Sequence, residues 1–405
     1  MSNKMTSTIK DTYDYNTQAA RCNERTPPSH LSAGTYRRHS RPITILHAAE
    51  IIRGGVATAI NLLATCHTKE FGAENVVCLI PARDVSEIPD FPGSIVTFRR
   101  PDRNIGSLLR FTLGFFKSVW MFDPTIVHLH STFAGIIGRL ILLILWPFRR
   151  PRVVYCPHGW AFLMDTSPIY RRIYAGIERA LAPLTDAVIC ISEHERAQAL
   201  QHGLPATKLH VIYNGVCRPD PDIHHADSPY RTSPEIIKLL YVGRFDWQKG
   251  FEVLIESLKR LQGSPIHLTA VGANIENPTP PPTLPNVTYT GWLSAKQLAP
   301  YFAHADVVVV PSRWEGFGLA AAEAMAHGRA VVASRVCSLP ELVIDGTTGL
   351  LFEKENDAQL AALLRDTPRE RWQEMGKAGR VRYEQHFTAE DYQAATNDLY
   401  RKIVG

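Results

Sequence analysis

Short apolar runs alternate with amphipathic stretches along this chain, stop once, and then begin again. ITILHA (43–48), NVVCLI (75–80), SIVTF (94–98), TIVHLH (125–130), RVVYC (152–156), AVICIS (187–192) and LHVIY (209–213) read as buried strands, most of them separated by helical stretches. Strands alternating with helices predict a parallel sheet covered on both faces, since each crossover must carry the chain back before the next strand. Residues 214–236, NGVCRPDPDIHHADSPYRTSPEI, are rich in Pro, Asp and His, lack periodicity and predict a linker. The alternation resumes in IKLLYVG (237–243), IHLTAVG (266–272), NVTYTG (286–291), DVVVVP (306–311), AVVAS (330–334) and TGLLF (348–352). Helical stretches near 356–365, 369–386 and 389–403 follow. The expectation is an α/β protein of two Rossmann-like, doubly wound domains, 41–213 and 237–388, facing each other across a cleft.

A chain of 405 residues is too long for one ordinary core and suits two. Residues 1–40 are polar, aperiodic and open without an apolar signal core, so they predict a disordered tail and a cytoplasmic protein. The seven cysteines form no C-x-x-C pair and sit mostly in apolar runs, which argues against a disulfide framework or a zinc site. Charge is uneven. Residues 1–215 hold 24 Lys and Arg against 16 Asp and Glu, and the remainder holds 20 against 23. A basic first half predicts an anionic neighbour, and no nucleic-acid-binding signature accompanies it.

No apolar stretch reaches the ~18–20 residues of a membrane-spanning helix. AGIIGRLILLILWPFRRPR (134–152) is interrupted by Arg139 and ends in arginines, and LLRFTLGFFKSVWMF (108–122) is similar in composition. Both suit a peripheral contact, with apolar side chains and Trp146 in the interface and arginines on anionic lipid. An ordinary core helix with a basic end fits the first stretch equally well.

Chemistry-bearing residues gather where strands end. RGGVATAINLLA (53–64) follows the first strand; Gly54 and Gly55 fit a tight turn as well as a ligand loop, and G-x-G-x-x-G is absent. YVGRFDWQKGFEVL (241–254) puts Arg244 and Lys249 between a strand and a helix, where two cations suit a diphosphate. No ATPase P-loop is present. In PSRWEGFGLAAAEAMAHG (311–328), Glu315 falls on a loop and Glu323 beyond the first helical turn. They are therefore two separate grips on one extended ligand rather than an acid–base pair, with the backbone of Gly316, Phe317, Gly318 and Leu319 facing an anion between them. His158 follows its strand directly and suits a substrate hydrogen bond or a plain turn. His128 and His130 share a strand face, but no nearby carboxylate or cysteine completes a metal site. Asp220 and Asp222 form a D-x-D in the Pro-rich linker, the wrong place for a metal-binding role.

GRFDWQKGFEVLIESL, VVPSRWEGFGLAAAEAMAHGRAVVAS and PELVIDGTTGLLF resemble the donor domain of the retaining glycosyltransferases of family 4, which have the GT-B fold. GGVATAINLLA, HLHSTFAGIIGRL, PHGWAF, ICISEHE and VIYNGV resemble their acceptor domain, and the likeness spans residues 43 to about 390. The resemblance implies that Arg244 and Lys249 bind the diphosphate of a UDP- or GDP-sugar without a metal or other cofactor. By the same resemblance Glu315 contacts the transferred sugar, Glu323 the ribose, and His158 lies near the sugar. It also places Gly55, Gly272 and the Gly316–Leu319 backbone around the donor, and Trp292 near the base. The last helix (389–405) would return to the first domain. PHGWAFL and the following YRRIYAGIERALAPLTD resemble members that extend a polyprenyl-diphosphate-linked saccharide for exopolysaccharide or capsule at the inner face of the cell membrane. A nucleotide-sugar epimerase of the same fold and a transferase to a soluble acceptor are the alternatives.

Overall fold

The computed structural model describes residues 42–405 except 90, 103, 165, 226 and 275–279; the tail expected over 1–40 lies outside the described residues. The first lobe runs β1 (Ile45–Ala49), α1 (Gly55–Phe71), β2 (Val76–Pro81), β3 (Ser94–Phe98), α2 (Ile105–Phe122), β4 (Ile126–His130) and α3 (Thr132–Leu145). It continues through β5 (Arg152–Cys156), α4 (Pro168–Leu181), β6 (Ala187–Cys190), α5 (Glu193–Gln201) and β7 (Leu209–Val211). The second lobe runs β8 (Ile237–Val242), α6 (Phe251–Arg260), β9 (Ile266–Val271), β10 (Val287–Gly291), α7 (Ala295–His304), β11 (Val307–Val310) and α8 (Leu319–Ala326). β12 (Ala330–Ser334), α9 (Leu339–Leu342), β13 (Gly349–Phe352), α10 (Asp357–Asp366), α11 (Arg369–His386) and α12 (Ala389–Val404) complete it.

Both sheets are parallel, in the orders β3-β2-β1-β4-β5-β6-β7 and β10-β9-β8-β11-β12-β13. Each thus starts from a central strand, winds outward, and returns to wind the other way. Position in the sheet explains composition. Central β11 is four valines, all buried, because helices cover both its faces. At the edge, β3 leaves Ser94 and Thr97 exposed.

The linker makes one contact that shapes the whole chain. Val216 pairs with Thr388, and a Cβ on Gly215 would stand 2.7 Å from the Ala389 Cα, so the outgoing and returning segments touch. From there α12 lies on the first lobe. Gln393 donates to the Leu62 carbonyl at 3.4 Å, Arg401 pairs with Glu70, and the Tyr400 hydroxyl meets His128 Nδ1 at 2.6 Å. Tyr392, Tyr400 and Phe387 join the buried cluster that extends from Ile45 and Leu63 to Phe317 and Met325.

The outer helices of the first lobe invert the usual arrangement. Arg139 of α3 points inward, donating to Glu178 of α4 at 2.7 Å and lying 4.3 Å from the Tyr155 ring centre, while the Tyr155 hydroxyl donates to the same carboxylate at 3.0 Å. This buried pair survives because both charges have partners. The opposite face of α3 leaves Leu140, Leu143 and Ile144 exposed, and α2 and α4 add Leu113, Trp120, Ile169 and Ile173. Trp120 meets Phe148 edge-on at 6.4 Å, joining these surfaces, and Arg149 and Arg150 sit over Trp120 and Trp146 at 5.1 and 4.9 Å.

Candidate functional site

In open α/β sheets a crevice opens where the strand order reverses, at the carboxyl ends of the strands. That reversal lies between β1 and β4 in the first lobe and between β8 and β11 in the second. Four of the predicted residues come from beside these two places. Gly55 follows β1, and His158 lies just beyond β5, beside β4; Arg244 follows β8, and Glu315 follows β11.

The second lobe supplies paired charges. Asp246 is the hinge of the β8 loop: it accepts the Lys249 backbone N–H at 2.9 Å and ion-pairs with Arg244 at 2.9 Å. Arg244 also donates to Gln248 at 2.8 Å, and its carbonyl accepts the Tyr241 hydroxyl at 2.6 Å. Lys249 Nζ reaches across to Glu315 Oε1 at 2.6 Å, where the Ser312 hydroxyl also donates at 2.8 Å. The two cations are therefore fixed by named acceptors, which reduces the ordering needed to hold an anion. Gly250 permits this geometry: its φ is +62°, and a Cβ there would lie 2.0 Å from the Pro311 carbonyl oxygen.

Beyond Glu315 the chain turns into α8 through Gly318, at φ +97°. Ser338 braces that turn, donating to the Glu315 and Phe317 carbonyls at 3.3 and 2.9 Å. Glu323 is buried within α8, its Oε2 has no partner, and burial pushes its pKa up to about 8. An unpartnered buried carboxyl is expensive unless a ligand group completes its hydrogen bonds. Gly272 ends β9, donating to the Gly291 carbonyl at 2.9 Å, and a Cβ on it would strike the Gly243 carbonyl at 1.9 Å. Gly272 and Trp292 thus stand along the same sheet end as Arg244, with Gly272 serving close backbone packing.

The first lobe meets this loop across the cleft. A Cβ on Gly55 would come within 2.9 Å of Leu319, and one on Gly159 within 3.4 Å of Trp314. His158 has φ +52°, a strained conformation for a non-glycine residue, and its Nε2 lies 3.0 Å from His130 Nδ1. Burial depresses its pKa to about 4, so the ring is neutral near pH 7. His47 brings a third imidazole to His128 and His130, their ligating atoms lying within 4.8 Å of one another. His47 and His130 already bond each other, and His128 bonds Tyr400.

The sequence reading missed several residues. Glu195, in the quoted ICISEHE, is buried beneath the cleft: Oε2 accepts the Ile191 N–H at 3.0 Å, and Oε1 lies 3.6 Å from where a Gly316 Cβ would be. Burial outweighs the nearby N–H groups and raises its pKa to about 8. Glu341 of α9 crosses between lobes, accepting the Glu193 and His194 backbone N–H groups at 2.8 and 2.6 Å. Only the PELVIDG run hinted at it. Ser312 and Ser338 had no sequence signal: each acts through one hydroxyl, Ser312 on Glu315 in the same loop and Ser338 on the Glu315 and Phe317 carbonyls far back in the chain.

Comparison with known proteins follows this division into lobes. The profile described as Glycosyltransferase Family 4 matches residues 53–217, and that of Glycosyl transferases group 1 matches residues 237–367. An uncharacterized 41.2 kDa protein in the cps region of Klebsiella pneumoniae is 33% identical over 364 residues, covering 89% of this chain and 99% of that protein. Alpha-maltose-1-phosphate synthase of Mycolicibacterium smegmatis is 28% identical, covering 69% of this chain and 79% of the relative. Among solved structures, sucrose-phosphate synthase from Thermosynechococcus elongatus superposes with TM-score 0.74 at 22% identity, over 89% of this chain and 99% of that one. Anabaena HepE in complex with UDP-glucose gives 0.71 at 18%, over 89% and 100%. Two lobes wound alike, their charged and neutral loops meeting at one cleft, and matches that cover each lobe in order lead to one assignment: this chain belongs to the family 4, group 1 glycosyltransferases of GT-B fold and is a hexosyltransferase.

Proposed function

We propose that the protein transfers a hexose, with retention of anomeric configuration and without a metal, from a UDP- or GDP-sugar to a polyprenyl-diphosphate-linked saccharide during capsule or exopolysaccharide synthesis. The observation that carries the donor half is the Arg244–Asp246 and Lys249–Glu315–Ser312 arrangement at the β8/β11 reversal. Two fixed cations there suit a diphosphate and offset the charge that develops on the leaving group, which is the largest electrostatic demand of glycosyl transfer. Glu315 would accept hydroxyls of the sugar, and the Glu323 carboxyl those of the ribose. The complex of HepE with UDP-glucose, a protein of like fold, supports a nucleotide-sugar donor.

The acceptor half rests on the inverted helices of the first lobe. Leu113, Ile144 and Phe148 are 69%, 72% and 67% exposed. Each forfeits ~1.5–3 kcal/mol relative to burial, so a covering apolar phase is favoured. The stacked Arg149 and Arg150 beside them suit anionic headgroups, consistent with a peripheral enzyme at the inner membrane face. No helix among the described residues is long and apolar enough to cross a membrane. The relative from a cps region supports the polysaccharide context. Transfer to a soluble acceptor is the second reading, favoured by the names of the maltose-phosphate and sucrose-phosphate synthases.

The test is incubation of purified protein with UDP- and GDP-sugars and a polyprenyl-diphosphate saccharide in phosphatidylglycerol liposomes. The expected product is an extended lipid-linked saccharide with the donor's anomeric configuration, and protein that sediments with anionic vesicles. Transfer only to soluble sugars supports the second reading. An epimerised nucleotide sugar formed without acceptor overturns transfer altogether.

A further inference from the structure

The neighbouring strands β1, β2 and β3 are each followed within four residues by an arginine, Arg53, Arg83 and Arg100. The strands are parallel, so all three arginines stand at the same end of the first sheet. The Nε atoms of Arg53 and Arg83 each lie 3.5 Å from one oxygen of Asp84, which makes the two guanidinium groups neighbours around a single carboxylate. Asp84 is buried, and its other oxygen accepts the Ile52 backbone N–H at 3.4 Å, which ties it to the chain leaving β1. Arg100 is buried and committed to Glu50 at 2.9 Å. That leaves Asp84 as the one buried carboxylate for two outward cations, whose side chains are 54% and 31% exposed.

A guanidinium has five N–H donors. Arg53 turns only Nε to Asp84 and has no other partner among the described residues, and Arg83 gives one further N–H to the Pro101 carbonyl. Several donors on each fork therefore remain for a ligand. The pair is a poor device for stability, since exposed ion pairs contribute little and like charges repel. Burial and the Arg53 guanidinium hold the Arg83 pKa below the usual arginine value; Arg100 adds to this, and Asp84 and the exposed Asp102 oppose it. An anion with several oxygens would relieve the crowding, and a phosphate matches two guanidinium forks. The place is the cleft rim. Arg53 precedes Gly54 and Gly55, and a Cβ on Gly55 would come within 2.9 Å of Leu319 in the donor loop. Arg244 and Lys249 stand on the opposite lobe, so two anion sites flank one cleft.

We propose that Arg53 and Arg83 bind a phosphate group of the acceptor, so that the protein extends a phosphorylated saccharide. This rests on the glycosyl-transfer reading of the cleft, in which the diphosphate of the donor occupies Arg244 and Lys249 and a second anion belongs to the other substrate. The acceptor phosphate keeps its charge while the glycosidic bond forms. The pair therefore acts on acceptor affinity and not on the chemical step. A lipid-linked diphosphate and a soluble sugar phosphate present the same oxygens to it.

The first test is calorimetric titration of inorganic pyrophosphate into wild-type protein saturated with UDP, which fills the Arg244–Lys249 site. One equivalent of pyrophosphate should bind. Arg53→Gln, a change at an exposed side chain, should weaken it about tenfold, the worth of one charge-assisted contact in a partly exposed place. Arg53→Gln combined with Arg83→Gln should abolish it, with UDP affinity unchanged in both variants. No pyrophosphate uptake beside UDP overturns the proposal, and so does a site that the double variant leaves unmoved. The second test is transfer from UDP- and GDP-sugars to three acceptors: a polyprenyl-diphosphate-linked saccharide, glucose 6-phosphate and glucose. Arg53→Gln should raise the acceptor KM about tenfold for a phosphorylated acceptor, with kcat and donor KM held, and Arg53→Lys should recover part of the loss. A response in the lipid arm assigns the site to a lipid-linked diphosphate, and one in the glucose 6-phosphate arm to a soluble phosphate. Glucose used as well as the phosphorylated acceptors, or a loss in kcat alone, overturns the assignment. A pyrophosphate site that depends on Arg53 in a protein that transfers no sugar keeps the anion site and sinks the functional reading instead.

Discussion

The two strand-order reversals face each other across one cleft, arise from the same winding, and carry opposite chemistry. At β8 and β11 the cleft is lined by full charges, Arg244 and Lys249, each held by a carboxylate. In the first lobe, beside β4, the cleft is met by the neutral imidazole of His158, backed by three more neutral rings. The fold does not dictate which residues stand at a reversal; it only opens the crevice. The difference assigns the work. Charges belong beside the part of a ligand that gains charge as a bond breaks, and neutral hydrogen-bonding groups beside the part that must be recognised and oriented.

This contrast can be broken most sharply at Lys249. Its replacement by Ala should lower kcat/KM 30- to 1000-fold, about 2–4 kcal/mol of transition-state stabilisation. His158→Gln should cost less, about tenfold. If steady-state kinetics rank the two in the other order, the division of labour between the lobes is wrong. The next effect concerns Glu323. With its pKa near 8, the carboxyl is protonated in the empty site at neutral pH, whereas a ribose diol prefers the carboxylate as acceptor. UDP affinity measured by calorimetry should therefore rise with pH between about 6.5 and 8, by at most tenfold per pH unit. Glu323→Gln should bind UDP more weakly and without that slope.

The same raised pKa links to folding. The unfolded chain loses this proton near 4.5 and the folded one near 8, so stability is fully present below about 4.5 and declines as pH rises to about 8. Denaturant melts of Glu323→Gln should show a shallower decline across that window. A smaller effect belongs to the bridge between the lobes. Glu341→Gln weakens two charge-assisted bonds to the start of α5 and should cost about 0.5–1.5 kcal/mol, visible as a lower melting temperature and a wider scattering envelope. An unchanged envelope would mean that the buried contacts, not Glu341, hold the lobes together.

Much of this was legible in the sequence because it is local. All thirteen apolar runs became strands, with ends displaced by no more than two residues, since each run is buried by its own pattern. The linker, the three closing helices and the loop position of Glu315 followed in the same way. What stayed hidden depends on partners far apart in the chain. Arg139 read as an interruption of an apolar stretch, yet it points inward to Glu178, which leaves the outer face more apolar than the sequence suggested. His128 and His130 read as an incomplete metal pair, because nothing local announces His47 from one neighbouring strand or Tyr400 from α12. Glu195 was quoted within ICISEHE without a role, since its burial comes from the approach of Gly316 across the cleft.

The docking of α12 has a consequence for how the chain is made. The first lobe leaves the ribosome early, but Tyr400 and Asn397, which finish its interior, follow about 180 residues after Val216. At typical synthesis speeds that is a wait of roughly 10–40 s with an apolar groove unfilled. During that interval the nascent first lobe offers both this groove and its exposed outer helices, so the protein is most exposed to chaperones, or to the membrane itself, before its own ending arrives.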